Sequence, residues 1–191
     1  MRLQGHADMV ILGISGKRGV GKTLMASHLV RTCGFIKMSF AEELKKLACQ
    51  FFPFSGEDLA SPKLKEKKWR TYDWSPREFL IHLGEFARFH DENFWTKKTL
   101  DKCTQKDAYY VFDDVRYDNE YNIIKNMGGK IIRINRYTEQ NPYGEDLDTP
   151  SETQLDKHKF DYVIEKCRNT SPKMLTDHTT SILELYNGED E

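Results

Sequence analysis

The sequence has no long hydrophobic run, no excess of charge of one sign and no closely spaced pair of cysteines. The apolar run Met9–Ile14 is far shorter than the about 20 residues that cross a bilayer, so we expect no membrane partner. A net charge of -1 provides no cationic field for a nucleic-acid backbone, which argues against a nucleic-acid partner. The four cysteines form no C-x-x-C pair, which argues against a zinc site and favours a reducing cytoplasm.

What the sequence does contain is an alternation of strand and helix patterns. With 191 residues and 38% hydrophobic residues, the chain suits one compact domain with insertions. Strands alternating with helices predict an α/β fold whose parallel sheet is covered on both faces, with ligands bound beyond the carboxyl ends of the strands. The five predicted strands are Met9–Ser15, Phe35–Phe40, Ala108–Phe112, Lys130–Asn135 and Phe160–Glu165.

Several helix starts are marked by a capping residue followed three positions later by a carboxylate. This pattern predicts that Ser39 and Ser75 cap two helices, and the second of these has proline at its first helical position. Thr149, Pro150 and Glu152 repeat the signature. The last predicted helix spans Ser171–Tyr186, and Leu175, His178, Ile182 and Tyr186 share one of its faces.

The stretch "GKRGVGKT" fits the phosphate-binding pattern G-x-x-x-x-G-K-[ST]. It follows a predicted strand and opens a predicted helix, as such a loop must if its amides are to point at a phosphate. We expect Lys22 to reach the β- and γ-phosphates of ATP and Thr23 to offer its hydroxyl to Mg²⁺. The predicted ATP-binding residues are Gly16, Lys17, Arg18, Gly19, Val20, Gly21, Lys22 and Thr23.

Charged residues at the ends of the third and fourth strands are further candidates. Asp113 and Asp114 are predicted to lie beside the loop, where one of them can hold Mg²⁺; capping of the next helix is the alternative. Arg116, Arg133 and Arg136 are placed to bring positive charge toward a transferring phosphoryl group. Surface salt bridges are the alternative for these arginines.

The helix that begins at Pro76 separates its side chains into two stripes. One stripe has a cation at each end and is bare at the glycine between them; it consists of Arg77, Ile81, Gly84 and Arg88. Glycine within a helix costs about 1 kcal/mol, so Gly84 implies close approach of a ligand or of another helix. The arginines suggest an anion such as an acceptor phosphate, and a solvated helix face is the alternative. The predicted core stripe consists of Phe79, Leu80, Leu83, Phe86 and Ala87.

Taken together, these motifs resemble the deoxynucleoside monophosphate kinases of bacteriophages, members of the P-loop kinase group. The resemblance rests on the blocks "GKRGVGKT", "SFAEELK", "PREFLIHLGEFAR", "DDVRYDNE", "RINR" and "TPSE", in that order. It implies a single domain with the three-layer α/β/α P-loop fold, a helical substrate-binding region at 41–104 and a lid-like segment at 136–150.

The activity implied by the resemblance is Mg²⁺-dependent transfer of the γ-phosphate of ATP to a deoxynucleoside monophosphate in a host cytoplasm. Lys22, Arg116 and Arg136 are then expected to be catalytic. Thr23, Asp113 and Asp114 are expected to serve the metal. The acceptor is expected to contact Arg77, Gly84, Arg88, Trp95 and Glu152.

The sequence departs from the family pattern at the predicted lid, and two other functions are also compatible with the motifs. Thr149 stands where the family often has histidine, and Tyr137–Asp148 contains no arginine, although related lids often do. A P-loop kinase acting on another small phosphorylated metabolite is one alternative, and a nucleotide-binding regulatory module without turnover is another. The sequence leaves the preferred base and a homodimer open.

Overall fold

The computed structural model describes residues 9–69, 72–136, 149–166 and 171–187. The chain forms two compact units, one made of Met1–Ser39 with Cys103–Glu191 and the other of Phe40–Lys102. The predicted substrate-binding region, 41–104, has nearly the bounds of the second unit. Within the described residues, no helix combines the length and apolar character needed to span a membrane.

A five-stranded parallel sheet forms the centre of the first unit, which confirms the predicted fold class. The strands lie in the order β2-β3-β1-β4-β5, and every neighbouring pair is parallel. All six residues of the central strand β1 are buried, as expected for a parallel strand covered on both faces. The strands are β1 Val10–Ser15, β2 Ile36–Met38, β3 Tyr109–Val115, β4 Lys130–Arg136 and β5 Tyr162–Lys166.

The helices of the described residues divide between the two units. Those of the first unit are α1 Lys22–Cys33, α7 Asp118–Asn126, α8 Pro150–Thr153, α9 Pro172–Thr176 and α10 Thr179–Asn187. Those of the second unit are α2 Ala41–Phe51, α3 Gly56–Ala60, α4 Pro62–Glu66, α5 Pro76–His90 and α6 Phe94–Leu100. The predicted helix Ser171–Tyr186 is therefore two helices, although Leu175, Ile182 and Tyr186 are buried as predicted.

The capping predictions had mixed outcomes. Ser75 caps α5 with Glu78 as its reciprocal partner, as predicted. The prediction for Ser39 was wrong, because its hydroxyl donates to Asp114 at 2.7 Å and α2 has no side-chain cap. Thr149 also makes no side-chain cap, although Pro150 does open α8 as predicted. Ser39 is thus used by a tertiary contact, whereas the Thr149 hydroxyl lies 3.1 Å from that of Ser151, two residues away.

The second unit has an aromatic and aliphatic core of its own. Leu44, Ala48 and Leu80 are buried in it, together with Trp95. An aromatic cluster made of Phe52, Phe54, Trp69, Trp74 and Phe79 packs with ring centroids 4.6 to 6.0 Å apart. The predicted core position of Phe86 was wrong, because its side chain is 65% exposed.

Candidate active site

The phosphate loop leaves β1 and enters α1 through three glycines with positive φ. These are Gly16 at 143°, Gly19 at 76° and Gly21 at 105°, a region that side-chain-bearing residues rarely adopt. A Cβ atom at Gly16 would lie 2.5 Å from the carbonyl oxygen of Ile134. Gly21 is the N-cap of α1, so the loop ends where the unsatisfied amides of a helix begin. This backbone has the form that binds phosphate.

Lys22 folds back over the loop that precedes it. Its Nζ donates to the carbonyl oxygens of Gly16 at 2.5 Å and Lys17 at 2.9 Å, and the side chain is buried. Burial, followed by the positive charge of Arg116, lowers the pKa of Lys22 to about 7. Burial therefore opposes the charge of this ammonium, and an anion bound at the loop would favour it.

Asp113 lies directly beside the loop threonine. Its Oδ2 accepts a hydrogen bond from Thr23 Oγ1 at 2.9 Å and forms an ion pair with Lys37 Nζ at 2.8 Å. Asp113 is buried, whereas the Lys37 side chain, on β2, is 38% exposed. Thr23 and Asp113, both predicted to serve a metal, are thus within hydrogen-bond distance of each other.

Asp114, the second predicted metal ligand, has a different partner. Its Oδ2 accepts from the hydroxyl of Ser39, just after β2, at 2.7 Å. Both carboxylates therefore bond to β2 or its end, and Asp113 also bonds to Thr23 of the phosphate loop. This geometry favours Asp113 as the metal carboxylate.

Arg116 and Glu152 form a pair that reaches the phosphate loop. Glu152 Oε1 accepts from Arg116 Nη1, and Glu152 Oε2 accepts from the backbone amide of Arg18 at 2.7 Å. Arg116 Nη1 also donates to the carbonyl oxygen of Ser151 at 3.2 Å. Although burial opposes its charge, the Glu152 carboxylate keeps the pKa of Arg116 above its ordinary value. The predicted catalytic arginine therefore lies close to the loop.

The other two arginines of this region differ from Arg116. Arg133 is buried and pairs with Asp156, while its Nη1 donates to Ser15 Oγ at 3.1 Å. Arg133 therefore forms an ion pair, but its side chain is buried and not at the surface as the alternative expected. Arg136 ends β4, and its side chain lies outside the described residues, as do residues 137–148 of the predicted lid-like segment 136–150.

The predicted acceptor residues Arg77, Gly84, Arg88 and Trp95 all belong to the second unit. Gly84 is buried, and its carbonyl oxygen accepts from Trp95 Nε1 at 3.2 Å. A Cβ atom at Gly84 would lie 3.0 Å from Arg88 Nη1 and 3.4 Å from Leu44 Cδ2. The missing side chain at Gly84 thus gives the Arg88 guanidinium its place on α5. Arg77 pairs with Glu66 of α4.

Two features of the site were not found from the sequence. The sequence patterns indicate no role for Lys37, and they predict Glu152 at the acceptor rather than at the amide of Arg18. Both depend on pairing between distant segments, since Arg18 and Glu152 are separated by 134 positions. A lysine in a short strand is too common a feature of a sequence to indicate the contact between Lys37 and Asp113.

Comparison with known proteins gave one relative by sequence. A protein of Acanthamoeba polyphaga mimivirus, which bears the provisional name deoxynucleotide monophosphate kinase, is 32% identical over 146 residues. The alignment covers 67% of this chain and 75% of the viral protein. No protein-family model matches the chain.

Among solved structures, dephospho-CoA kinase from Campylobacter jejuni aligns over 98% of this chain and 99% of its own, with 18% identity and a TM-score of 0.45. Shikimate kinase from Aquifex aeolicus aligns over 95% of this chain and 99% of its own, with 16% identity and a TM-score of 0.48. We infer nothing about the reaction of this chain from these two similarities.

Proposed function

The chain belongs to the deoxynucleotide monophosphate kinase family and is a P-loop kinase; on that premise, we propose that it uses MgATP to convert deoxynucleoside monophosphates to diphosphates. The observation that carries the proposal is the grouping of Lys22, Asp113 and Arg116 around a loop whose glycines have positive φ. These are the groups that phosphoryl transfer requires, because catalysis of that reaction depends on positioning and charge neutralisation.

The residues beside the loop fit a magnesium ion. Mg²⁺ is commonly held by one or two carboxylates together with phosphate oxygens and water. Asp113 supplies a carboxylate oxygen, and Thr23 supplies a neighbouring hydroxyl oxygen. No group of three or more His, Cys, Asp or Glu side chains that could hold a metal occurs among the described residues. When bound, the ion would neutralise charge on the phosphates.

The protein's own groups account for the rest of the proposed mechanism. Loop amides between Gly19 and Thr23 orient the β-phosphate, since the Arg18 amide donates to Glu152. The Lys22 ammonium neutralises charge on the β- and γ-oxygens. Arg116, held near the loop, stabilises negative charge that develops on the transferred group. No general base is needed, because the attacking oxygen belongs to a phosphate that is already ionised at neutral pH.

In the second unit we assign the acceptor phosphate to Arg88. A guanidinium binds phosphate through two parallel hydrogen bonds, and the absence of a side chain at Gly84 leaves room for Arg88 along α5. We expect Arg77, Gly84 and Trp95 to contribute to the same acceptor site. The bacteriophage source and the cytoplasmic location stay predictions of the sequence, which makes no prediction of the preferred base.

A coupled assay that detects ADP tests the proposal. The folded protein is incubated with MgATP and each of the common deoxynucleoside monophosphates in turn, and we expect at least one to be phosphorylated well above the background ATPase rate. ADP formation that no deoxynucleoside monophosphate stimulates would overturn the proposal. Faster turnover of a phosphorylated metabolite that is not a nucleotide would overturn the substrate class but leave the kinase chemistry intact.

A further inference from the structure

The phosphate loop has a buried carboxylate bonded to one of its amides, which is unexpected at a site for an anion. Glu152 is 9% exposed, and its Oε2 accepts from the Arg18 amide at 2.7 Å. A negative charge there repels phosphate, because Coulomb interactions between partly buried charges are weakly screened. Its presence therefore needs a compensating role.

The other oxygen of the same carboxylate indicates that role. Glu152 Oε1 accepts from Arg116 Nη1, which also donates to the carbonyl oxygen of Ser151. The same guanidinium nitrogen, Nη1, makes both bonds. Residues of α8 therefore hold Arg116 through one of its three side-chain nitrogens. Glu152 thereby connects the start of the phosphate loop to the arginine that we assign to the transferring phosphate.

We propose that Glu152 is a positioning residue that holds Arg116 beside the phosphate loop, at the cost of weaker binding of the polyphosphate. The inference rests on the proposed function and deepens it. Glu152 needs no contact with either substrate in this role, unlike the acceptor-binding role that the family resemblance implies. The two roles predict different kinetics.

The structure predicts a distinctive response to Glu152→Gln. The amide keeps the size of the side chain but removes its charge, and it cannot accept from both Arg18 and Arg116 in the way that a carboxylate does. We expect magnesium-free tripolyphosphate to bind about threefold to tenfold more tightly, because one negative charge has been removed. We expect kcat to fall about tenfold to a hundredfold, because Arg116 is no longer held in place.

A second variant separates the effect of the Glu152 charge from the effect of the length of its side chain. Glu152→Asp keeps the charge but shortens the side chain by one methylene, so we expect a lower kcat without tighter binding of tripolyphosphate. Glu165→Gln is the matched control, because that carboxylate is exposed and bonds only to Asn135 among the contacts described for it. It should change neither quantity by more than about twofold.

The experiment combines calorimetric titration with tripolyphosphate, steady-state kinetics and a double-mutant cycle with Arg116→Ala. If Glu152 acts through Arg116, Glu152→Gln lowers kcat no further in the Arg116→Ala background. Equal losses in both backgrounds, unchanged kcat, or weaker tripolyphosphate binding by a well-folded Glu152→Gln protein would each overturn the inference. A rise confined to the KM for the acceptor would overturn it in favour of direct acceptor binding.

The failure of the proposed function would be visible separately. If the wild-type protein phosphorylates no deoxynucleoside monophosphate, the proposed function fails, but the tripolyphosphate titrations still apply. Unchanged or weaker binding by Glu152→Gln would then overturn the inference on its own.

Discussion

The two compact units differ in how they place charge. In the first unit, Lys22, Asp113 and Glu152 are buried, and each contacts the phosphate loop. In the second unit the core is aliphatic and aromatic, and ion pairs such as Lys68 with Asp73 are exposed. Because charges interact more strongly when they are shielded from water, changes of charge should act strongly in the first unit and changes of shape should matter more in the second.

The largest expected effect is that of removing the charge of Lys22. We expect Lys22→Ala to lower kcat about a thousandfold, because the variant lacks the buried ammonium that stabilises the transferring phosphate. The fold should persist, since the loop conformation depends on its glycines. Steady-state kinetics and circular dichroism measure the two outcomes.

Lys68→Ala is the matched test in the second unit. Lys68 is 68% exposed, so we expect kcat and KM to change by less than about twofold. Normal turnover in Lys22→Ala, or an equal loss in both variants, would contradict the contrast between the units.

The next largest effect concerns the two neighbouring carboxylates of β3. Asp113→Asn should lower kcat about a hundredfold and raise the magnesium concentration needed for half-maximal rate, because Asp113 is bonded to Thr23. Asp114→Asn should have a smaller effect on that concentration, because Asp114 is bonded to Ser39. Magnesium titrations of the two variants, side by side, measure the difference. The reverse order would assign the metal to Asp114.

How far the sequence predicts these features depends on how local their causes are. The phosphate loop was predictable because positive-φ glycines and the start of a helix lie within eight consecutive residues. The parallel sheet was predictable from uninterrupted apolar runs such as Val10–Ser15. The cap at Ser39 could not be judged, because the competing acceptor, Asp114, is 75 positions away.

The second unit shows the same limit for packing. Phe86 lies at a spacing that a regular amphipathic helix would bury, yet it is exposed, while Gly84 on the neighbouring stripe is buried against Leu44. Helical periodicity gives the width of a buried face but not its centre, which depends on where neighbouring helices pack. The pairing of Arg18 with Glu152 could not be predicted for the related reason that it joins distant segments.

A change of shape tests the second unit. In Gly84→Ala the new methyl group would lie 3.0 Å from Arg88 Nη1, so the guanidinium must move. We expect the KM for the acceptor to rise more than about tenfold, while the affinity for ATP stays unchanged. Phe86→Ala is a control on the same helix, because Phe86 is exposed and lies on the other stripe. A weaker affinity for ATP in Gly84→Ala, with a normal acceptor KM, would place the acceptor elsewhere.

The smallest predicted effect is a pH dependence confined to the first unit. The pKa of Lys22 is lowered to about 7 from its usual 10.5, and a bound polyphosphate favours the charged ammonium, so ATP binding should raise this pKa and take up a proton. Above neutral pH the uptake costs binding free energy. We therefore expect affinity to fall about fivefold to tenfold between about pH 7.5 and about pH 8.5, where ATP itself is already fully ionised.

Calorimetry in two buffers with different ionisation enthalpies measures this proton uptake directly. Lys22→Met should abolish both the uptake and the pH dependence, because the replacement has similar length and no titrating group. Arg88→Lys should leave both unchanged, since it lies in the unit whose contribution we attribute to shape and to the acceptor. Proton uptake that persists in Lys22→Met would show that another group titrates when ATP binds. The burial of charge at the loop would then not explain how the first unit responds to pH.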